Sequence, residues 1–349
     1  PLERISHRSV IFFLLCVLPL IMLVYLSVGP SWIPPWRIFS LLGDTGNVDS
    51  TVIREATIVS AIRLPRVLMA AFVGACLACC GAAMQGLFRN PLADPSLIGV
   101  SSGASAGASF MIVFGAAWLD SSQVLGLSMV SVGAVAGAVV AVFLVYKLAT
   151  DSYGTSVITM LLSGVAISAV ASAMNSMFSY FADSEMLRRI NVWEMGNLDG
   201  ANWERVALIA AVAGVLLWRL PSHALALNAF LLGESEARYL GINVDWVKKE
   251  LVLLTALAIG ISVVISGNIA FVGLVVPHIL RGFIGPDHRY LLPSCAVAGA
   301  MLLIVADLIA RTIIAPAELP AGILTSLVGA PVFFYLLVKS KSLNNPERL

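Results

Sequence analysis

Charged residues are scarce in this 349-residue chain: Asp, Glu, Lys and Arg together make up 12% of it, where a soluble domain has about 25%. Hydrophobic residues make up 59%, and several apolar runs reach the length of about 18 residues that a membrane span needs. The formal net charge is +1, and no basic run is longer than a pair such as Arg188-Arg189. The composition therefore excludes a soluble domain, gives no reason to expect nucleic acid as a partner, and indicates an all-α protein that crosses the lipid bilayer several times.

Motifs for catalysis and metal binding are also missing. The four histidines are scattered, and the chain has no H-E-x-x-H pair, no G-x-S-x-G elbow and no phosphate-binding G-x-x-x-x-G-K-[ST] loop. Its five cysteines are odd in number and lie in apolar surroundings, which argues against a disulfide framework. We expect Cys76, Cys79 and Cys80, which share a helix face, to pack as small apolar side chains because no fourth metal ligand lies near them in sequence. The sequence predicts no enzyme, no metal and no cofactor, with an intramembrane metalloenzyme as the remote alternative.

About ten hydrophobic segments are present, most of them long enough to cross about 30 Å of hydrocarbon as a helix. The first follows Arg4 and Arg8 as a signal sequence would, but no clear cleavage site precedes Gly29-Pro30, and we interpret it as a retained span. Lys and Arg are moderately enriched on the side that holds both termini, which predicts cytoplasmic termini. The predicted spans are residues 10–28, 66–87, 97–117, 124–147, 156–181, 204–220, 248–266, 269–284, 291–312 and 322–339.

A spacing of glycine and proline residues recurs along the chain. Gly74, Gly81, Pro91 and Gly99 are each followed 186 residues later by a residue of the same type, namely Gly260, Gly267, Pro277 and Gly285. The two sets begin five spans apart, so the pattern predicts two units of opposite orientation, residues 66–181 and 248–339, within a single domain of residues 1–349. We expect Pro91 and Pro277 to fix helix bends or ends near a transport path, the alternative being ordinary loops between helices.

Small residues and ionisable groups refine this prediction of a transporter. Gly99, Gly103 and Gly107 recur every four residues, a period that lets helix backbones approach closely. Within the spans the clear ionisable candidate is Asp307, which we expect to pair with Arg311 one turn later. The spans therefore contain no evident proton or sodium relay, and an ion-coupled secondary carrier is the weaker alternative.

The segment of residues 230–250 is predicted to face the cytoplasm and to suit a protein partner. It reads "FLLGESEARYLGINVDWVKKE", in which a short amphipathic helix is bounded by Gly233 and Gly241. A solvated interfacial helix would show the same pattern, so the residues alone leave both interpretations open.

Several longer segments resemble one family of transport proteins, and they agree with it in order and spacing from about residue 60 onwards. They are "IRLPRVLMAAFVGACLACCGAAMQGLFRNPLADPSLIGVSSGAS", "LLGESEARYLGI", "GNIAFVGLVVPHILR", "GPDHRYLLPSCAVAGAMLLIVADLIAR" and "AELPAGILTSLVGAPVFFYLL". These segments closely resemble the FecCD family, the permease subunits of type II ATP-binding-cassette (ABC) importers for iron siderophores, heme and cobalamin.

The resemblance implies an assembly and a set of functional residues. A permease homodimer would enclose the pathway in the bacterial inner membrane, two cytoplasmic ATPase subunits would dock beneath it, and a periplasmic substrate-binding protein would dock above. The residues implied for the coupling helix at the ATPase are Gly233, Glu234, Glu236, Arg238, Leu240 and Gly241. The inner gate is implied to lie around Thr155 and Ser156. Arg63, Arg66 and Arg311 are implied to bind acidic residues of the substrate-binding protein, the alternative from sequence being that they anchor helices at the membrane interface.

The cargo follows less directly from the sequence. Mostly uncharged spans suit a large amphipathic chelate better than a free metal ion, which would need carboxylate or imidazole ligands. Within the resembling family, iron compounds are the more frequent cargo. We therefore expect import of heme or a ferric siderophore from the periplasm to the cytoplasm, with cobalamin as the alternative.

Overall fold

The computed structural model describes residues 7–43, 49–115, 129–151, 154–315 and 317–343. Each of the ten predicted spans overlaps a helix of the described residues: seven of these helical segments are long and apolar enough to cross a membrane, and three are shorter. Residues 116–117 and 124–128 of the predicted spans 97–117 and 124–147 lie outside the described residues. The helices are α1 His7–Ser27, α2 Pro35–Gly43, α3 Ser50–Thr57, α4 Leu64–Leu87, α5 Val100–Phe114, α6 Met129–Ala149, α7 Val157–Phe181, α8 Ser184–Glu194, α9 Trp203–Arg219, α10 Ala224–Phe230, α11 Glu234–Tyr239, α12 Val244–Ser266, α13 Val272–Ile284, α14 His288–Ala310 and α15 Ala321–Leu343. A π-helical turn, Ile58–Arg63, joins α3 to α4, and a two-stranded hairpin of β1 Thr150–Asp151 and β2 Gly154–Thr155 precedes α7.

The centre of the protein is α4, which packs against α14, α13, α12 and α9. A Cβ atom added to Gly74 would collide with the backbone of Gly299 in α14, and one added to Gly81 would collide with that of Gly273 in α13. Helix association within lipid depends on close packing because lipid tails are as apolar as the side chains. The small residues of α4 therefore allow its neighbouring helices to pack closely against it. Cys76, Cys79 and Cys80 are buried here as free thiols, which confirms their predicted packing role.

The small residues of α5 and α6 form a second close contact. A Cβ atom on Gly103 would lie 2.5 Å from the carbonyl oxygen of Gly137, and one on Gly133 would lie 2.5 Å from that of Gly107. The glycines that recur every four residues therefore allow two helix backbones to touch, as the sequence predicts.

The polar segment "RNPLADPSLIG" turns back into the protein after α4 ends. Asn90 Oδ1 accepts a hydrogen bond from the Leu92 backbone at 2.9 Å, and Asp94 Oδ1 accepts one from the Ser96 backbone at 2.8 Å. Asp94 thereby caps a short 3-10 helix, Pro95–Ile98, whose first residue packs against Gly273 of α13. Irregular backbone at membrane depth requires such local partners. The polar residues satisfy the backbone where the chain re-enters the bundle before α5.

The predicted equivalence of the two glycine and proline sets is wrong. Gly99 precedes α5, whereas Gly285 follows α13. Pro91 lies in a turn between helices, whereas α13 continues through Pro277. Helix α4 extends six residues past Gly81, whereas α12 ends just before Gly267. The equal sequence intervals therefore fall on different parts of the helices. The boundaries of the two units, residues 66–181 and 248–339, stay a prediction.

Helix α13 tolerates Pro277 because a side chain replaces the hydrogen bond that proline cannot donate. In an α-helix the backbone N–H of residue 277 would bond to the carbonyl of Gly273. That carbonyl instead accepts a hydrogen bond from Gln85 Nε2 of α4 at 3.3 Å. Arg281 of α13 in turn donates to Gln85 Oε1. Pro277 therefore marks a cross-link between α4 and α13 and not a helix end.

Candidate functional site

The segment predicted to couple the protein to an ATPase forms the short surface helix α11. Gly233 precedes it with φ +138° and Gly241 follows it with φ +82°, conformations that favour glycine. Ala237 is buried and packs the helix against the protein, while Tyr239 is 89% exposed. Leu240 and Leu232 are exposed as well. The helix thus presents an aromatic and aliphatic surface away from the bundle.

The charged residues of α11 bind α12 of the same chain. Glu234 forms an ion pair with Lys248 at 2.6 Å, and Arg238 forms one with Asp245 at 2.8 Å. A hydrogen bond from backbone, followed by one from the Ser235 hydroxyl, lowers the pKa of exposed Glu236. The partners Asp245 and Lys248 are not part of the sequence prediction, although "DWVKKE" places them one turn apart at the start of α12. Two ion pairs therefore link α11 to α12.

Lys248 also binds the predicted gate region. Its side chain is buried, with only 4% of the residue exposed, and Nζ donates a hydrogen bond to the carbonyl oxygen of Thr155 at 3.0 Å. The hydroxyls of Thr155 and Thr150 bond to each other at 3.0 Å across the hairpin. Ser156 caps α7 by accepting a hydrogen bond from the Thr159 backbone at 3.3 Å. One ammonium group thus contacts both α11 and the hairpin that precedes α7.

A cavity of about 570 Å³ lies between α5, α7, α8, α12 and the start of α13. Three side chains within it form a cluster that we call the polar recess: Ser105 of α5, Asn175 of α7 and Glu194 of α8. Ser105 Oγ donates to Glu194 Oε1 at 2.8 Å, and Asn175 Nδ2 donates to Ser105 Oγ at 3.0 Å and to the same carboxylate oxygen. The sequence prediction missed the recess because Glu194 ends a helix within the polar stretch of residues 182–203, outside every predicted span.

The opposite end of the bundle from α11 contains a network around Arg66. Its guanidinium binds both carboxylate oxygens of Asp307, at 2.9 Å and 2.8 Å, and it also contacts Glu318 at 2.7 Å and Asp199 at 3.0 Å. The hydroxyl of Tyr25 donates to Asp307 as well. Asp307 is fully buried, whereas the side chains of Asp199 and Glu318 are 47% and 38% exposed. The predicted pairing of Asp307 with Arg311 is wrong, because Arg66 of α4 binds both carboxylate oxygens of Asp307.

Arg63 and Arg311 bind the end of α1 instead of an acidic group. Arg63 donates to the carbonyl oxygen of Leu26 at 2.6 Å, and Arg311 donates to that of Val28 at 2.7 Å while lying 3.8 Å above the ring centre of Tyr25. The last carbonyls of a helix lack partners within it, and cations are favourable there. Arg63, Arg66 and Arg311 are all buried. They are therefore neither free rim charges nor side chains extended along lipid.

Helices α7 and α15 expose apolar side chains in a single copy of the chain. Of the 18 most apolar consecutive residues of α7, only 22% are buried, against 83% in the segment that contains α4. Exposed residues of α7 include Ile158, Leu162, Val165 and Val170, and Leu327 and Phe334 are exposed on α15. These apolar surfaces are available to lipid or to another protein.

Comparison with known proteins assigns the chain to a family. Residues 15–339 match the FecCD transport family. The hemin transport system permease protein HmuU of Yersinia pestis is 43% identical over 286 residues, which cover 80% of this chain and 83% of that protein. The vitamin B12 import system permease protein BtuC of Escherichia coli O139:H28 is 40% identical over 342 residues, covering 97% of this chain and 98% of that one.

A solved structure shows the same fold. A metal-chelate type ABC transporter in an inward-facing conformation superimposes with a TM-score of 0.82 at 30% identity, over 95% of this chain and 99% of that one. The relatives are transport permeases, which agrees with a translocation subunit that is not itself an enzyme. Both the match over most of the chain and the shared type II importer fold lead to one conclusion: the chain belongs to the FecCD transport family.

Proposed function

We propose that this protein is the translocation subunit of an ABC importer that moves heme or a ferric siderophore from the periplasm to the cytoplasm. The observation that carries the proposal is the bonded path from α11 through Lys248 to Thr155. A surface helix tied to the start of a membrane helix is what a pump needs if a separate ATPase is to drive its gate. The family membership and the fold support the same function.

Cobalamin is the alternative cargo, and one specific observation supports it. The vitamin B12 permease matches nearly the whole of this chain, at an identity close to that of the hemin permease. Both of those named cargoes are metal-containing tetrapyrroles. We therefore propose a bulky chelate as the cargo class, with no cofactor or metal held permanently by the permease.

The proposed assembly contains a second copy of this chain, two ATPase subunits and a periplasmic binding protein in the bacterial inner membrane, with both termini in the cytoplasm. The open apolar surfaces of α7 and α15 support a homodimer. The exposed Tyr239 and Leu240 support docking of the ATPase on α11. The coupling role of Gly233, Glu234, Glu236, Arg238, Leu240 and Gly241, and the gate role of Thr155 and Ser156, belong to this proposal.

Docking of the binding protein through Arg63, Arg66 and Arg311 is part of the proposal in a modified form. Each guanidinium already has acceptors within the chain. An acidic residue of a partner would therefore have to displace Asp199 or Glu318, the exposed acceptors of Arg66. Such an exchange would set orientation and association rate more than affinity, and it would weaken at high salt.

Uptake in proteoliposomes tests the proposal. The permease is reconstituted with and without its ATPase subunits, and internalised hemin, ferric siderophore or cyanocobalamin is measured with the binding protein outside. We expect uptake only when the ATPase subunits and ATP are both present. Uptake by the permease alone under a proton or sodium gradient would instead establish a secondary carrier and overturn the proposal.

A further inference from the structure

We propose that this protein binds an anionic phospholipid beside α12, with the lipid phosphate on arginine side chains and one acyl chain in an apolar groove next to them. The first part of the site, which we call the arginine pocket, is a cavity of about 440 Å³ lined by Arg188, Arg189 and Arg205. The second part, the apolar groove, is a cavity of about 380 Å³ between α6 and α12. The inference goes beyond transport, because it concerns a lipid that stays with the protein and not the cargo.

The charge of the arginine pocket is the first observation. Among its described lining residues, none is Asp or Glu. Arg189 pairs with Glu185 at 2.6 Å, whereas the ion pairs of the described residues include neither Arg188 nor Arg205. Nε of Arg205 is buried and has no hydrogen-bond partner among those residues. A buried donor without a partner is costly, and guanidinium groups bind phosphate through two parallel hydrogen bonds. The pocket therefore favours a ligand that carries a phosphate.

The depth of the arginine pocket is the second observation. Arg205 lies in the first turn of α9, near the Arg66 network and at the end of the bundle opposite α11. Its guanidinium packs against Gly200, where an added Cβ atom would collide with Nη1. Trp193 lines the same cavity, and α9 begins at the half-exposed Trp203. Tryptophan is enriched at the level of the lipid head groups. The pocket therefore lies where a lipid phosphate is within reach.

The apolar groove is the third observation, and it continues from the arginine pocket. Val264 of α12 lines both cavities, and its carbonyl oxygen accepts a hydrogen bond from Ser131 of α6 at 3.3 Å. From there the groove follows α12 back to Val252, an interval of about 18 Å at 1.5 Å per residue. Val139 and Leu253 are exposed along it. One leaflet of the hydrocarbon core is about 15 Å thick, half of about 30 Å. The groove therefore has the length of one acyl chain.

The two parts of the site together select the occupant. A free phosphate ion has no apolar part for the groove, and a protein that docks from water does not reach a groove within the hydrocarbon. A zwitterionic head group would bring an ammonium group toward Arg188 and Arg189, whereas an anionic lipid adds no positive charge. Basic pockets between membrane helices bind anionic head groups in this way. A lipid of net negative charge therefore fits both parts.

Native mass spectrometry of the complete permease–ATPase complex provides the test. The complex is mixed with phosphatidylglycerol and phosphatidylcholine that have the same acyl chains, and the ratio of the two Kd values is measured. The wild type should bind phosphatidylglycerol about tenfold more tightly, since each basic residue near the head groups attracts anionic lipid. Arg188→Gln combined with Arg205→Gln should remove this preference. Arg205→Lys alone should keep most of it, because lysine also binds phosphate as a point charge.

Two matched controls accompany these variants. Arg54→Gln removes an exposed arginine of α3 and should leave the ratio unchanged. Ala256→Phe narrows the groove and should weaken the binding of phosphatidylglycerol, whereas Val215→Phe, at an exposed position of α9, should not.

Three results would overturn the inference. Equal affinity of the wild type for both lipids, or an unchanged ratio in the double arginine variant, would leave the arginines as interfacial anchors, which do not distinguish head groups. Binding that inorganic phosphate displaces and that Ala256→Phe leaves intact would replace the lipid by a free anion. Slower association of the binding protein with the double variant, at an unchanged lipid ratio, would assign the arginines to a protein partner.

Discussion

At the scale of single residues, Arg66 is held by acidic groups that differ in how much water reaches them. Asp307 is fully buried and binds the guanidinium with both oxygens, while Asp199 and Glu318 lie at the surface. Removing one member of a buried pair leaves a charge without a partner in a low dielectric, whereas an exposed pair is replaced by water. The same arginine should therefore depend on Asp307 far more than on Asp199.

We expect Asp307→Asn to lower the free energy of unfolding by about 3–5 kcal/mol. Asp199→Asn, the matched change at the exposed partner, should cost at most about 1 kcal/mol. Both substitutions preserve side-chain shape, so the comparison isolates charge and burial. Chemical unfolding of the detergent-solubilised protein measures the two values. Equal effects of the two variants would contradict the assignment of Asp307 as the buried partner.

Glu318 makes stability at the Arg66 end depend on pH. Burial, followed by its hydrogen bond with Asp199, raises the pKa of Glu318 above its usual value, despite the opposing effect of Arg66. A raised pKa means that the folded protein takes up the proton before the unfolded chain does, so this contribution to stability grows as pH falls through the folded pKa and is lost as pH rises through it. When the pH is lowered from 7 to 5, the melting temperature of Glu318→Gln should therefore rise less than that of the wild type.

Removal of one carboxylate elsewhere serves as the control for that pH dependence. Glu204 is exposed in the first turn of α9. Glu204→Gln should follow the wild-type change in melting temperature between the two pH values. If Glu318→Gln also follows it, the carboxyl of Glu318 does not change its protonation in this range.

At the scale of secondary-structure elements, α11, α12 and the hairpin before α7 are joined at one buried ammonium group. Lys248 binds Glu234 on one side and the Thr155 carbonyl on the other. Asp245, one turn earlier, pairs with Arg238, and a Cβ atom on Gly154 would lie 2.7 Å from its carboxylate. We therefore expect a displacement of α11 to be transmitted to the start of α7 through α12.

We expect Lys248→Met to reduce ATP-driven uptake by about tenfold while the ATPase subunits stay bound. Methionine keeps most of the apolar stem but removes a charge-assisted hydrogen bond, which contributes about 1.5–3 kcal/mol. Lys249→Met is the matched control because Lys249 is the next residue and is exposed. Copurification measures ATPase binding, and the ratio of cargo moved to ATP hydrolysed measures coupling. Normal uptake in Lys248→Met, or an equal loss in Lys249→Met, would show that this link does not carry the motion.

These elements also show what a sequence can and cannot predict. The ten spans could be predicted from the length of their apolar runs. Helix α11 could be predicted from the glycines on either side of it, which adopt positive φ. Both are local properties of the chain. Lys248 and Glu194 were missed because their importance depends on residues 93 and 89 positions away, Thr155 and Ser105. The arginines were correctly placed at one end of the bundle, but their burial depends on how α1, α4 and α14 pack. The glycine and proline spacing failed for the same reason, since equal intervals carry no information about where a helix stops.

At the scale of the whole molecule, the uneven burial of the helices bears on the proposed dimer. Helix α4 is enclosed, while α7 has an exposed stripe of small residues at helical spacing, Ala169, Ser172, Ala173 and Ser176. Serine hydroxyls gain nothing from lipid tails, whereas small residues allow helices of two chains to approach or let water enter between them. The apolar residues exposed on α6, such as Val139, are by contrast suited to lipid.

We therefore expect the α7 stripe to face a second copy of the chain in the membrane. Ala173→Cys, combined with Cys16→Ser to remove the exposed native thiol, should yield a covalent dimer when membranes are treated with a short bismaleimide. Val139→Cys in the same background is the control, because Val139 is exposed on α6, a different helix from the one that carries the stripe. Electrophoresis after crosslinking compares the two. A dimer band of equal strength from both positions would indicate random collision, and a band from Val139→Cys alone would move the dimer interface from α7 to α6.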